Sequence, residues 1–234
     1  MAKIATSIIL ACYNEGPTFE KSVAEIVKVL RSTHRPWEII FVEDKSDDDT
    51  LQKVIKLTRK VNGSRAIYHR RNMGRGKSVS DGIWASRGSV CGYLDVDLEI
   101  SARYIPIFVR EVENDFDMVV GKRLYKANAK SIMRFIASKF YSVLVKTILG
   151  LKVDDTESGY KFFNRKKILP ILKKTKDHGW FWDTEICARA TFAGLRLKQV
   201  SVVFKRRTDK KSTVRLIPDA LNYLLKIFQF RLNH

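Results

Sequence analysis

Apolar positions in the first half of the chain follow two alternating periods. Short runs rich in β-branched and aliphatic residues predict strands at Ala5 to Ala11, Trp37 to Val42, Arg65 to His69, Val90 to Leu94 and Met118 to Val120. Between them the period lengthens. From Pro17 to Ser32, Phe19, Val23, Ile26, Val27 and Leu30 share one helical face, and from Asp49 to Val61 so do Leu51, Val54, Ile55 and Leu57. Pro17 suits a first helical turn. Strand and amphipathic helix in alternation predict an α/β chain with a mostly parallel sheet covered by helices. No internal repeat, low-complexity linker or clean domain boundary interrupts the pattern.

The second half reads differently. Lys130 to Leu149 predicts a long helix with Ile132, Phe135, Ile136, Phe140, Val143, Leu144, Thr147 and Ile148 on one face, flanked by Arg134, Lys139 and Lys146. Leu216 to Leu232 repeats the theme with Leu221, Leu224, Leu225 and Phe228 between Lys226 and Arg231. Such helices can cover a core or lie in a membrane interface, apolar face in the acyl boundary and cations on anionic headgroups. Two of them in one half favour the membrane.

Charge sharpens this division. The net charge is +19, yet residues 1–121 carry 18 basic and 17 acidic side chains, whereas residues 122–234 carry 26 and 8. A balanced half followed by a basic half suggests a site that needs carboxylates beside a surface that meets something anionic. Nucleic acid would satisfy the charge alone, but the basic half shows no DNA- or RNA-binding motif, so no nucleic-acid partner is expected. The apolar run Ile4 to Cys12 is too short for a membrane span and lacks a signal-peptide pattern, which predicts a cytosolic protein. Cys12, Cys91 and Cys187 lie far apart without metal-ligand spacing and read as reduced core residues.

The candidate chemistry gathers at strand ends, where open α/β sheets collect ligands. Val90 to Leu94 runs into Asp95-Val96-Asp97-Leu98-Glu99, and two carboxylates one residue apart can share a hard divalent cation. Trp37 to Val42 runs into Glu43-Asp44-Lys45-Ser46, followed by the helix-capping acids Asp47 to Asp49. Arg71-Asn72-Met73-Gly74-Arg75-Gly76-Lys77 resembles an anion-binding glycine loop leading into a helix at Ser78 to Ser86.

In this order and spacing, Ala11 to Glu15, Val42 to Ser46 with Asp48-Asp49-Thr50, Asn72 to Gly76 and Asp95-Val96-Asp97 resemble glycosyltransferase family 2. Val120 to Arg123, Arg134 with Ser138, Asp155 through Ser158-Gly159-Tyr160, Phe181 to Ile186 and Arg207 with Ser212 resemble its dolichol-phosphate mannose synthase branch and the polyprenyl-phosphate relatives. The resemblance covers roughly residues 5–215. It implies a GT-A (Rossmann-like) catalytic domain over 1–215, with a nucleotide-sugar and metal half at 1–121, an acceptor half at 122–215 and an amphipathic helix at 216–234. It implies that Tyr13, Asn14, Glu15, Asp44 and Gly74 line the nucleotide-sugar pocket, and that Asp95, Asp97 and Glu99 bind Mg²⁺ or Mn²⁺. Arg123, Arg134 and Ser138 would hold a lipid phosphate, while Arg207 and Ser212 would close over the donor diphosphate. Glu99 stands where the family usually has Gln, Lys45 where Asn is common, and Lys210 and Thr213 replace a usual Gly and Lys.

The implied reaction is inverting transfer of a hexose from a nucleotide sugar to a dolichyl or polyprenyl phosphate. GDP-mannose is the favoured donor and UDP-glucose a compatible one. A phosphate monoester is already largely dianionic at neutral pH, its second pKa lying near ~6, so no general base is required. Asp97, Arg123, Arg134 and Arg207 are then the catalytic candidates. The rival within the family is a transferase acting on a saccharide or protein hydroxyl, which needs a carboxylate base; Asp183 is the candidate, with Glu185 its neighbour on the same helix. The expected location is peripheral on the cytoplasmic face of an anionic membrane, with a membrane-anchoring partner as a candidate.

Overall fold

The computed structural model describes residues 4–125, 143, 145–151, 153–206 and 216–232, and side chains in the last segment from residue 223 onward. The first four strands, β1 (Thr6–Cys12), β2 (Trp37–Glu43), β3 (Ser64–Tyr68) and β4 (Val90–Leu94), alternate with α1 (Phe19–Ser32), α2 (Thr50–Lys60) and α3 (Arg75–Ala85). They are followed by α4 (Ile105–Glu113), β5 (Met118–Tyr125), β6 (Tyr160–Asn164), α5 (Arg165–Leu172), α6 (Trp182–Phe192), β7 (Leu197–Phe204) and α7 (Leu216–Leu232). The seven strands form one sheet in the order β3-β2-β1-β4-β6-β5-β7. β6 pairs antiparallel with both β4 and β5, and every other pairing is parallel. This is the mixed, mostly parallel, helix-flanked sheet expected from the pattern.

β1, β2 and β4 are almost wholly buried because both faces are covered, which explains their continuous apolar runs. Along β1, Ile8 and Leu10 enter the core under α1 and α4, while Ile9 enters the opposite core with α3, α5 and α6. The three cysteines are buried free thiols, as expected; burial pushes Cys91 and Cys187 up to about 12.

The sheet is larger than the sequence pattern indicates. β5 continues past Val120 to Tyr125, and β6, α5 and β7 complete the second half. The expected helix at 130–149 lies mostly outside the described residues. At its described end Val145 and Leu149 are buried and Val143 is exposed, so the expected apolar face is rotated. α7 is two-sided. Ile227 and Phe230 are buried and Tyr223 and Leu224 pack against the same core, whereas Leu225, Phe228 and Leu232 are exposed. Leu224 therefore faces the core and not the outward stripe expected for it. Among the described residues no helix is long and apolar enough to cross a membrane.

Candidate active site

Parallel register carries the ends of β1, β2 and β4 to one edge. Cys12 is level with Glu43, Asp44 N–H donates to the Cys12 carbonyl at 3.0 Å, and Ile9 is level with Tyr93, two residues before Asp95. The turn after β1 is braced from the turn after β2. Asn14, at φ 52°, donates its N–H to Ser46 Oγ at 3.2 Å and accepts at Oδ1 from Asp47 N–H at 2.9 Å. Glu15 N–H donates to Thr50 Oγ1 at 2.9 Å, and the Tyr13 hydroxyl donates to Asp47 Oδ2 at 3.3 Å. Tyr13, Asn14 and Glu15 thus form one wall of a recess, and Tyr13 presents an exposed ring.

The glycine loop is built differently from the sequence expectation. The helix begins at Arg75 and not at Ser78, with Gly74 before it at φ 91°. Its anion is internal. Asp44, only 3% exposed, accepts from Met73 N–H at 2.8 Å and Gly74 N–H at 2.9 Å, and its Oδ1 lies 2.6 Å from His69 Nδ1. The other ring nitrogen of His69 lies 3.1 Å from Asp81 Oδ2. The N–H groups expected to cradle a phosphate are thus engaged by the protein's own carboxylate, and Asp44 fixes the loop. Close packing explains both glycines: a Cβ on Gly74 would stand 2.5 Å from the His178 carbonyl oxygen, and one on Gly76 2.5 Å from Trp182 Cβ.

Asp95, Asp97 and Glu99 follow β4 as expected, in a tight turn with Leu98 at φ 53°. Burial, together with the charges of Asp95, Glu99 and Glu15, pushes the Asp97 carboxyl up to about 6. Oxygen donors crowded in this way suit a hard divalent cation that would neutralise them. They do not form a ready cage. Asp95 Oδ1 is engaged by Arg75, Asp97 Oδ1 accepts from Glu99 N–H at 3.1 Å, and among the described residues no three His, Cys, Asp or Glu side chains stand together to hold a metal ion. The donor set fits Mg²⁺ or Mn²⁺ of the open kind, which keeps waters and substrate phosphate oxygens as ligands.

Behind this turn lies a charged network missed in the sequence. Arg75 donates from Nη2 to Asp95 Oδ1 at 2.6 Å and from Nη1 to Asp183 Oδ2 at 2.5 Å. Asp183 also accepts from the Tyr93 hydroxyl and from Lys161, which is fully buried and donates to the Ser158 carbonyl at 2.5 Å. Burial alone would raise the Asp183 carboxyl, but Arg75 and Lys161 hold it below its ordinary value. Gly159 belongs here too: its carbonyl accepts from Asp95 N–H at 3.0 Å, and its missing side chain makes room for the Asp95 carboxylate. The available signal was a lysine inside the apolar run Tyr160 to Phe163 and an acid inside the apolar helix α6, two buried charges that require each other. Glu185, also buried, accepts from Lys176 and Asp177 N–H and pairs with Arg189 at 2.7 Å, so it holds the turn before α6.

Arg123, at the end of β5, reaches the same edge, and its fork is filled. Nε and Nη2 both donate to Asp155 at 2.8 Å, and its N–H donates to the same carboxylate at 3.0 Å. Arg134, Ser138, Arg207 and Ser212 lie outside the described residues. The chain approaching Arg207 does meet the acidic turn: Lys205 N–H donates to the Glu99 carbonyl at 2.8 Å.

A doubly covered α/β sheet with carboxylates and a glycine loop at its strand ends defines a nucleotide-binding type of architecture. The model of the family "Glycosyl transferase family 2" matches residues 7–180, and the chain belongs to that family. It is 30% identical over 225 residues to glycosyltransferase AglD of Haloferax volcanii, an alignment covering 94% of this chain but 36% of that protein. It is 25% identical to the dolichyl-phosphate beta-glucosyltransferase of Dictyostelium discoideum, covering 97% of this chain and 77% of the relative. Glucosyl-3-phosphoglycerate synthase from Mycobacterium tuberculosis, solved with Mg²⁺ and uridine diphosphate, superposes with a TM-score of 0.70 at 16% identity over 97% of this chain and 79% of that one. That likeness shows a shared fold, the GT-A arrangement the resemblance implies.

Proposed function

We propose that this chain transfers a hexose with inversion from a nucleotide sugar to the phosphate of a dolichyl or polyprenyl phosphate at a cytoplasmic membrane face. The observation that carries the choice of acceptor is the state of Asp183. A hydroxyl acceptor needs a base, and the one carboxylate the sequence offers for that role is 2% exposed and fixed by Arg75, Lys161 and Tyr93. A phosphate dianion needs no base and only has to be placed in line with the anomeric carbon. Residues 1–121 would then serve the donor and residues 122–215 the acceptor.

In this reading Tyr13 to Glu15 flank the nucleotide, and Asp44 with His69 fixes the loop beside it. Asp95 and Asp97, with Glu99 near them, would hold Mg²⁺ or Mn²⁺, which when bound supplies positive charge at the departing diphosphate. Arg123, Arg134 and Ser138 are assigned to the acceptor phosphate; for Arg123 this requires exchanging Asp155 for phosphate, two oxyanions with similar demands on a guanidinium fork. Arg207 and Ser212 are assigned to the donor side. Glucose is favoured over mannose as the transferred sugar, because the similar dolichyl-phosphate enzymes are named glucosyltransferases. The exposed stripe of Leu225, Phe228 and Leu232 and the basic second half support attachment to an anionic membrane.

The test is a panel of radiolabelled UDP-glucose, UDP-galactose, GDP-mannose and GDP-glucose, offered with a short polyprenyl phosphate or an alkyl glycoside. Label in an acid-labile lipid phosphate from UDP-glucose supports the reading. Transfer to the glycoside alone overturns it.

A further inference from the structure

The acidic turn carries its own cation. Arg75 is held on every side by the protein. Its Nη1 is anchored to the buried Asp183, its guanidinium lies 5.3 Å from the Tyr93 ring centre and 5.5 Å from that of Trp180, and its flanking glycines are pressed against His178 and Trp182. Asp183 is fixed in turn by Lys161 and Tyr93. The group that can give way is Asp95: its side chain is 48% exposed, against 15% for Arg75, and it meets Arg75 through Oδ1 at 2.6 Å from Nη2 and 3.2 Å from Nε. Guanidinium does not lose its proton in proteins, so this charge is permanent.

We infer that Arg75 is a built-in counter-cation that occupies Asp95 when no divalent cation is present and sets the affinity of the acidic turn for one. The inference rests on the metal reading given above and deepens it. A divalent cation approaching Asp95 and Asp97 meets a fixed positive charge on the carboxylate it seeks, and Asp95 has to loosen from Arg75 to accept it. The arrangement makes the bare protein a weak binder. A nucleoside diphosphate, arriving with two or more negative charges, offsets the repulsion from Arg75, so cation and donor bind with strong mutual reinforcement. Arg75 is a positioning residue here, acting on metal and donor through Asp95.

Mn²⁺ binding followed by electron paramagnetic resonance tests this without catalysis. In Arg75→Gln the amide can still donate to Asp183 but the charge is gone. Free of donor, this variant should bind Mn²⁺ about tenfold more tightly than wild type, a factor equivalent to about 1.4 kcal/mol, and UDP should strengthen binding less than it does in wild type. Arg75→Lys, which keeps the charge, should stay within about twofold of wild type. Equal or weaker Mn²⁺ binding by a folded Arg75→Gln overturns the inference. Should that variant fail to fold, titration of wild type with Mg²⁺ decides: the Arg75 Nε–H resonance should shift saturably as Asp95 lets go, and an unmoved resonance at saturating Mg²⁺ refutes the exchange. Wild type that binds no Mn²⁺ even with UDP or GDP present overturns the metal reading itself, an outcome distinct from binding that ignores Arg75.

Discussion

Gly159→Ala isolates the position of one carboxylate. A Cβ at this site would lie 1.8 Å from Asp95 Oδ2 and 2.4 Å from its Cγ, with no backbone atom among its nearest contacts. The Asp95 side chain is the part that yields, and it has to swing by about 1.5 Å to regain van der Waals distance. That motion breaks the contact with Arg75 at 2.6 Å, a bond worth about 1 kcal/mol because Asp95 is half exposed. Residual crowding adds up to about 2 kcal/mol. Together these lower Tm by about 3–10 °C for a chain of this length. The effect on turnover should be larger: misplacing a catalytic group by about 1 Å commonly costs about 100-fold. The measurement is hexose transfer to polyprenyl phosphate at saturating donor, normalised to folded protein by thermal denaturation on the same samples. Activity within about threefold of wild type together with a lowered Tm would show that Asp95 can leave its observed place without consequence, and the site geometry argued above would be wrong.

Asp97 gives a pH prediction with a definite sign. Its folded pKa, about 6, lies above its ordinary 3.8, so the native state resists ionising it and loses stability as pH rises through that interval. In EDTA, Asp97→Asn should therefore be more stable than wild type at pH 8 by about 1–3 kcal/mol in urea titrations, with no difference at pH 3; equal stability at both pH values refutes the crowding. Lys161→Met leaves Asp183 short of one buried cation and should cost about 3–5 kcal/mol, while Lys161→Met with Asp183→Leu should recover part of it; strictly additive losses would refute the pairing. Leu225→Asp with Phe228→Asp should reduce sedimentation with anionic liposomes and leave Tm unchanged, since both side chains are exposed. Unchanged sedimentation would remove α7 from the membrane surface.

The first half of the fold was legible because its signals are local. β1 to β4 each pack a continuous apolar run between two helical layers, and α1 and α2 show their buried faces at helical spacing. The second half hides its elements for physical reasons. β6 carries Lys161 at its centre, and only the partner Asp183, on a separate helix, makes that charge tolerable. β5 ends in polar residues that a pattern search discards, yet eight successive positions pair with β7. α5 contains Pro170, which masks its helical period. At the site, the positions of the acidic turn, of Asp44 and of the glycine loop could be read, but their partners could not. That Asp44 binds the loop, that Arg75 binds Asp95 and that Asp155 fills the fork of Arg123 are facts of tertiary approach between residues 20 or more apart in sequence.

Those partnerships also locate the charge that remains for an anionic acceptor. Around the described edge the prominent cations are committed: Arg75 to Asp95 and Asp183, Arg123 to Asp155, Lys122 and Lys146 to Asp154, and Lys226 to Asp177. An edge so balanced attracts a lipid phosphate weakly, because each cation already has its oxyanion. The surplus lies elsewhere in the sequence. Residues 126–142 contain four basic side chains and no acidic one, and residues 207–215 contain four basic and one acidic. These two short segments, which include Arg134 and Arg207, carry well over a third of the excess charge of the second half. Net positive charge, unlike a paired ion, acts over about a Debye length and falls with salt. If the acceptor is recruited by these segments, its KM should rise steeply with ionic strength while the donor's KM, set at the balanced edge, changes little; parallel salt dependence of the two would place the recruiting charge at the donor site instead.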